Sequence, residues 1–299
     1  MKYNFTIIIP HKNIPDLLNR CLLSIPHKDD IQIIVVDDAS RNVETLEQLA
    51  LSFPYVEFIY TKEGKGAGYA RNVGLTKAKG EWLIFADADD YFSESFERLA
   101  NQHSKDKADI IYFRASSVFS KSLKPSPRLN NRIAALIRYK EYSKKINDFC
   151  RYFYTEPWGK MIRRELVQRH NITFDETPVA NDFYFSIISG YFANTIEYDH
   201  SILYIYTERE GSLSNNYCAN ETVLRIRLSV YKKVQDFLDS HRVPYNPFYR
   251  FSVSESRNPN RDFSGIVEDF WSQNNLSKLY VMYRYVVGKL YQYTFGVHI

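Results

Sequence analysis

The sequence predicts an α/β fold in which a mostly parallel sheet is flanked by helices, with a helical, aromatic region towards its C-terminal end. Three observations carry that reading. Short apolar runs alternate with helix-length segments through the first third of the chain, and such alternation implies right-handed crossovers and parallel pairing. The runs are near-continuous in Ile and Val, as strands covered on both faces are. After Phe113 the alternation stops, and polar, aromatic segments replace it.

The elements follow in chain order. Phe5 to Ile9, Ile31 to Val36, Val56 to Tyr60, Trp82 to Ala86 and Asp109 to Phe113 have the length and β-branched or aromatic content of buried strands. Between them, Leu17 to Ser24, Val43 to Phe53, Tyr69 to Lys79 and Glu94 to His103 read as helices. Ser116 to Asn131 is rich in Ser, Lys and Pro and reads as a loop. Arg163–Arg169 and a segment starting at Asp182 read as helices, and Thr222 to His241 has helical periodicity. Pro244, Pro247 and Pro259 then break the chain before a last helical, aromatic and basic region, Ile266 to Tyr293.

Composition narrows the class. At 299 residues the chain suits one large domain or two unequal ones. Hydrophobic and charged fractions of 44% and 25% exclude wholesale disorder and collagen-like repeats. A net charge of +4 is too small to indicate a nucleic-acid partner. Cys21, Cys150 and Cys218 are far apart and odd in number, so neither a thiolate metal site nor a disulfide framework is expected. Reduced thiols fit a cytoplasmic protein. Ile7-Ile8-Ile9 is too short for a signal sequence, and no apolar stretch approaches the ~20 residues that span a bilayer. Residues 266–293 mix Tyr and Trp with Lys and Arg, which suits peripheral contact at the inner face of a membrane. A core-packing helix or a homo-oligomer contact explains the same composition.

In an open parallel sheet, ligands bind beyond the carboxyl ends of the strands. The first strand runs into Pro10-His11-Lys12-Asn13, the second into Asp37-Asp38-Ala39-Ser40, and the fourth into Asp87-Ala88-Asp89-Asp90. Two acidic clusters therefore share one edge. Clustered carboxylates repel unless something positive joins them. Oxygen-only ligands select a hard cation, Mg²⁺ or Mn²⁺, and such an ion characteristically bridges to phosphate oxygens, so a nucleotide diphosphate is the expected ligand. Asp38 and Ser40 could instead cap the helix after the second strand, but three acids after Trp82-Leu83-Ile84-Phe85-Ala86 exceed what one cap can use. No GxxxxGK[ST] is present, which excludes a P-loop ATPase. Gly64-Lys65-Gly66-Ala67-Gly68 follows the third strand rather than the first, which argues against a dinucleotide-binding dehydrogenase.

Together these residues resemble glycosyltransferase family 2, the inverting enzymes of GT-A type that take a sugar from a nucleotide diphosphate donor. The matching pieces are Ile7-Ile8-Ile9-Pro10-His11-Lys12-Asn13, Ile34-Val35-Val36-Asp37-Asp38-Ala39-Ser40, Ala70-Arg71-Asn72-Val73-Gly74, and the run from Ala78-Lys79-Gly80-Glu81 to Asp90. Weaker matches continue through Pro157-Trp158-Gly159-Lys160, Asn181-Asp182 and Gly211-Ser212. The resemblance implies a GT-A-type, Rossmann-like domain over 1–215, with a nucleotide-binding half at about 1–113 and an acceptor half at about 114–215. A helical region then fills 216–299.

It also implies roles. Pro10 and Lys12 would line the base pocket and Asp38 would bond the base, uracil being favoured because its imide N–H suits a carboxylate. Asp87 would sit by the donor ribose and sugar, with Ala88 beside it, while Asp89 would ligate Mn²⁺ or Mg²⁺ on the diphosphate. Asp90 would support that loop, and Arg71 and Lys160 would also serve the donor. Arg71 and Asn72 are read as beginning a helix, whose amide-rich N-terminus suits an anion. Asp182 would be the general base, in a pair where the family's usual Glu is Asn181. A usual Arg is replaced by Thr207, which leaves Arg209 as the phosphate candidate. The implied acceptor is the hydroxyl of a glycan or a lipid-linked saccharide, in the synthesis of bacterial surface polysaccharide. A nucleotidyltransferase lacks support, because His11-Lys12-Asn13-Ile14-Pro15 contains no glycine where its phosphate loop belongs. A non-catalytic binding module is opposed by the intact Asp38, Asp89 and Asp182.

Overall fold

The computed structural model describes residues 3–129, 144–209, 220–258 and 261–295. Gly211, Ser212, Cys218, Pro259 and the end of the 116–131 segment lie outside the described residues. The first half runs β1 (Phe5–His11), α1 (Pro15–Leu23), β2 (Ile31–Asp38), α2 (Val43–Ser52), β3 (Val56–Thr61), α3 (Ala67–Lys77) and β4 (Trp82–Phe85). It continues through β5 (Tyr91–Phe92), α4 (Phe96–His103), β6 (Ile110–Phe119) and α5 (Lys144–Tyr152). Next come β7 (Lys160–Arg163), α6 (Arg164–Arg169), α7 (Phe183–Phe192) and β8 (Ile196–Glu208). Four helices follow: α8 (Glu221–Ser240), α9 (Pro247–Ser256), α10 (Ser264–Gln273) and α11 (Lys278–Phe295).

One sheet has the order β3-β2-β1-β4-β7-β6-β8-β5. β3, β2, β1 and β4 are parallel, so their carboxyl ends lie along one edge. β1, β2 and β4 are buried along their whole length, as their apolar runs require. β7 enters antiparallel to both β4 and β6, and β6 pairs parallel with the long β8.

The segment from Ser116 is a loop only in part, because β6 continues to Phe119 opposite Glu208. Ser116 and Ser117 occupy a strand that alternates buried and half-buried positions, and Ser117 hides its hydroxyl by donating to the Ser126 carbonyl at 2.8 Å.

The Pro-broken stretch contains a helix of its own, α9, with Pro247 in its first turn, where a missing N–H costs nothing. The last region is two helices, interrupted where Asn275 adopts φ 56°. α8 joins two apolar cores. Val230, Val234 and Leu238 pack with the sheet, while Leu224 and Leu228 pack with Phe248, Val267 and Trp271 of the C-terminal helices. On α11, Leu279, Tyr283, Val286 and Leu290 form an exposed stripe. Among the described residues, no helix is long and apolar enough to cross a membrane.

Candidate active site

The first part of the candidate site is built where β1 and β2 finish side by side, with His11 opposite Asp37. His11 accepts the Ile14 N–H at Nε2 (3.2 Å), so its proton sits on Nδ1 and is donated to Asp37 at 2.7 Å. Burial holds the imidazole below its usual pKa, against the opposing pull of Asp37. Asp37 also accepts from the Ser40 N–H and hydroxyl, and the Ser40 hydroxyl oxygen accepts the Asn13 N–H at 2.7 Å. Asp37 and Ser40 therefore fix the turn that presents Asp38, in which Ala39 takes φ 58°.

Asp38 is 2% exposed. Its Oδ2 accepts from Lys12 Nζ at 3.2 Å and from the Gly66 N–H at 2.8 Å, whereas its Oδ1 is buried with no partner among the described residues. A buried acceptor left unpaired costs ~1–3 kcal/mol, a cost that an N–H from a ligand would remove. Pro10 is buried in β1 beside Val36, and half-exposed Lys12 borders the same place. The Gly-rich segment is thus used at this end: Gly66, at φ 95°, turns its amide onto Asp38 and starts α3. Gly68 lies against the Asp175 carbonyl so closely that a Cβ would sit 1.9 Å from it.

The second acidic cluster follows β4. Asp90 is buried and accepts from the Tyr204 hydroxyl (2.8 Å) and the Thr207 N–H (2.6 Å). Burial, then the charges of Asp89 and Asp87, push its carboxyl well above the usual range. It is therefore a support for the loop. Tyr204 also accepts the Asp87 N–H, and its ring stacks on Trp158 at 5.1 Å. Ala88 is buried between its acidic neighbours.

Asp87 Oδ1 accepts from Arg71 Nη2 at 2.6 Å, and Arg71 Nη1 reaches the Asn181 side-chain oxygen at 2.8 Å. Arg71 is 4% exposed and lies over the Phe174 ring. This corrects the reading of Arg71 and Asn72 as a helix start: α3 begins at Ala67, and both lie a turn further in. Asn72 instead ties down the Phe174 backbone from both sides. Asp87 is pushed up by burial first and by Asp89 and Asp182, with Arg71 opposing. Asp89 Oδ2 pairs with Arg209 Nε at 2.8 Å.

Asp182 stands at the N-cap of α7, half-buried, yet its side chain caps nothing and takes no hydrogen bond from the described residues. Its rivals are engaged: Asp175 pairs with Lys233 of α8, and Glu176 accepts from Asn72. Lys160 stands apart from the expectation. It is 1% exposed, with its ammonium on the Tyr154 carbonyl (2.6 Å) and near the Tyr112 and Tyr154 rings. In this conformation it offers a donor no surface.

The remaining oxygens of Asp87 and Asp89 take no hydrogen bond from the described residues, and hard carboxylate oxygens of this kind fit Mg²⁺ or Mn²⁺ completed by phosphate. Elsewhere, His103, Asp106 and Glu197 are the group of three donors among the described residues close enough together to hold an ion. They lie at the start of β6 and β8, where Ile110 pairs with Ile196, away from the Asp38 edge.

Sequence reasoning missed Tyr204, Arg20 and the Arg71–Asn181 contact. Arg20 Nη2 holds the Asp89 carbonyl at 2.5 Å from the far end of α1. No local motif marks any of the three.

The open α/β sheet thus carries paired acids at its carboxyl edge, and the uncommitted Asp182, whose charge acts on Asp87, stands near them at the start of α7. Residues 6–170 match the profile of glycosyl transferase family 2, and the chain belongs to that family. It is 30% identical over 219 residues to the uncharacterized glycosyltransferase EpsJ of Bacillus subtilis, covering 70% of this chain and 62% of EpsJ. It is likewise 30% identical over 233 residues to the poly(ribitol-phosphate) beta-N-acetylglucosaminyltransferase TarS of Staphylococcus aureus, covering 73% of this chain and 38% of TarS. The chain thus spans less than two-thirds of the length of either. The crystal structure of S. aureus TarS 1–349 with UDP-GlcNAc has the same fold, with a TM-score of 0.63 at 21% identity over 87% of this chain and 75% of that one. The mannosyltransferase PcManGT of Pyrobaculum calidifontis, in complex with GDP-Man and Mn²⁺, gives 0.55 at 14% identity over 97% and 87%.

Proposed function

We propose that this protein transfers a sugar from a UDP-sugar to an acceptor hydroxyl, with inversion at the anomeric carbon. The observation that carries the nucleotide assignment is the buried, unpartnered Oδ1 of Asp38 beside Lys12. It is an acceptor shaped for a neutral N–H, such as the imide of uracil. Complexes of TarS with UDP and UDP-GlcNAc support the same reading.

Asp87 and Asp89 are the residues that would hold a divalent cation, which when bound offsets the charge growing on the leaving diphosphate. Asp182 removes the acceptor proton, since its carboxylate is uncommitted and a base must lie within ~3 Å of the attacking hydroxyl. Arg71 holds Asp87 against Asn181 and so ties the donor side of the cleft to the residue before the base.

The acceptor in this reading is a glycan or a lipid-linked saccharide, and the poly(ribitol-phosphate) named for TarS supports a polymer acceptor. The stripe of Leu279, Tyr283, Val286 and Leu290 supports peripheral contact with an anionic membrane, since residues 278–295 carry three basic and no acidic side chains. We assign residues 1–215 to the transferase domain and 216–299 to the helices that present this stripe.

The test is a thermal-shift panel of UDP, CDP, ADP and GDP with and without Mn²⁺, followed by UDP release from UDP-sugars. Stabilisation by UDP with Mn²⁺, and by no other base to the same degree, is expected. Equal response to all four nucleotides contradicts the reading.

A further inference from the structure

The two basic partners of the acidic cluster differ in kind. Arg71 is 4% exposed and is braced by both Asp87 and Asn181. Arg209 has a 32% exposed side chain, pairs with a 21% exposed carboxylate, and sits just beyond the end of β8. The Asp89 backbone, by contrast, is clamped. Its carbonyl accepts from Arg20 Nη2 and from the Thr207 hydroxyl, both at 2.5 Å, while the Thr207 N–H is held by Asp90. A carboxylate on a fixed backbone thus faces a partly exposed cation supplied by the chain itself.

We propose that Arg209 is an exchangeable internal counter-ion. In the free enzyme it occupies Asp89 and competes with the divalent cation. When the cation takes Asp89, the guanidinium passes to the donor diphosphate, for which a planar fork of N–H donors is the suited partner. Metal and nucleotide then bind synergistically, because each relieves the other of this competition, and the coupling is reciprocal. The family resemblance marks Arg209 only as a phosphate candidate; the pairing with Asp89 adds its role before the donor arrives. The inference rests on the assignment of Asp89 to the metal.

The experiment is an electron paramagnetic resonance titration of Mn²⁺ against the full chain, with and without UDP. It compares wild type with Arg209→Gln and Arg209→Ala, and Asp89→Asn serves as the no-site control. Partly exposed ion pairs are weak, so removing the guanidinium should tighten Mn²⁺ binding to the free protein roughly two- to fivefold. The enhancement of Mn²⁺ affinity by UDP should shrink by at least as much. A purely structural role for Arg209 leaves that coupling unchanged. Free-protein Mn²⁺ affinity that is unaltered or weaker in both variants overturns the exchange while leaving the metal site standing. Wild-type protein that binds no Mn²⁺ even with UDP overturns both.

Discussion

Asp38 and Asp89 both lie beyond parallel strands at the same sheet edge, yet the fold treats them differently. Asp38 is buried, held on one oxygen by a lysine and a backbone amide, and has its other oxygen buried without a partner. Asp89 is partly open to water and already carries a guanidinium. The first has an acceptor left open for one donor; the second is already paired with positive charge. In the proposed function, selectivity for the base and neutralisation of the diphosphate would therefore reside in separate places, and chemistry at the acceptor would belong to a third, Asp182.

That division can be broken in graded ways. The largest effect is expected from Asp182→Asn, which should lower kcat by ~10²–10⁴-fold while leaving UDP affinity near wild type, as steady-state transfer and calorimetry would show. Lost transfer after Asp175→Asn, with Asp182→Asn fully active, would move the base to the wrong side of the Lys233 ion pair. Asp89→Asn should cost ~10²–10³-fold in turnover, as removal of a group stabilising transition-state charge does, without changing which nucleotide base is preferred. Full activity in EDTA would remove the metal from the account. Asp87 is a poorer probe, since its loss takes one of the two braces from the buried Arg71 guanidinium and should also destabilise the fold.

The smallest effect concerns His11, which supports the Asp38 turn. Burial lowers its folded pKa, while an unfolded histidine titrates near ~6.5. Below that pH the unfolded chain takes up the proton first, so this contribution to stability falls as pH drops through about 6.5 and levels off below the folded value. The gap in unfolding temperature between wild type and His11→Asn should therefore narrow from pH 7.5 to 5.5. A gap that stays constant across that range contradicts a neutral buried imidazole.

The parallel half of the sheet was legible because its strands are buried on both faces, and continuous Ile/Val runs announce that. β8 was not, because Ile196–Glu208 interleaves aromatic with polar residues and is mostly half-buried. The acidic clusters were legible from their place after strands. What they touch was not: the Arg71–Asn181 bond spans 110 residues and the Arg209–Asp89 bond 120. Lys160 shows the reverse limit, since its motif matches the family while its side chain is enclosed by Tyr112 and Tyr154. Sequence position locates chemistry at a strand end, but pairing across long chain separations decides which atoms stay free.

The free oxygen of Asp38 is the central feature of the proposed nucleotide site, and Asp38→Asn probes it atom by atom. The Gly66 N–H needs an acceptor, so the new amide must keep its oxygen there and turn its NH₂ towards the base. A donor at that place opposes the imide N–H of uracil and suits the ring nitrogen acceptor of cytosine. Calorimetry with Mn²⁺ should show wild type favouring UDP over CDP. In Asp38→Asn, UDP affinity should fall by ~10–100-fold, the worth of a hydrogen bond to a charged group, and the UDP preference should narrow or invert. Equal UDP affinity in the two proteins, with the same preference, would contradict the assignment of this edge to the nucleotide base.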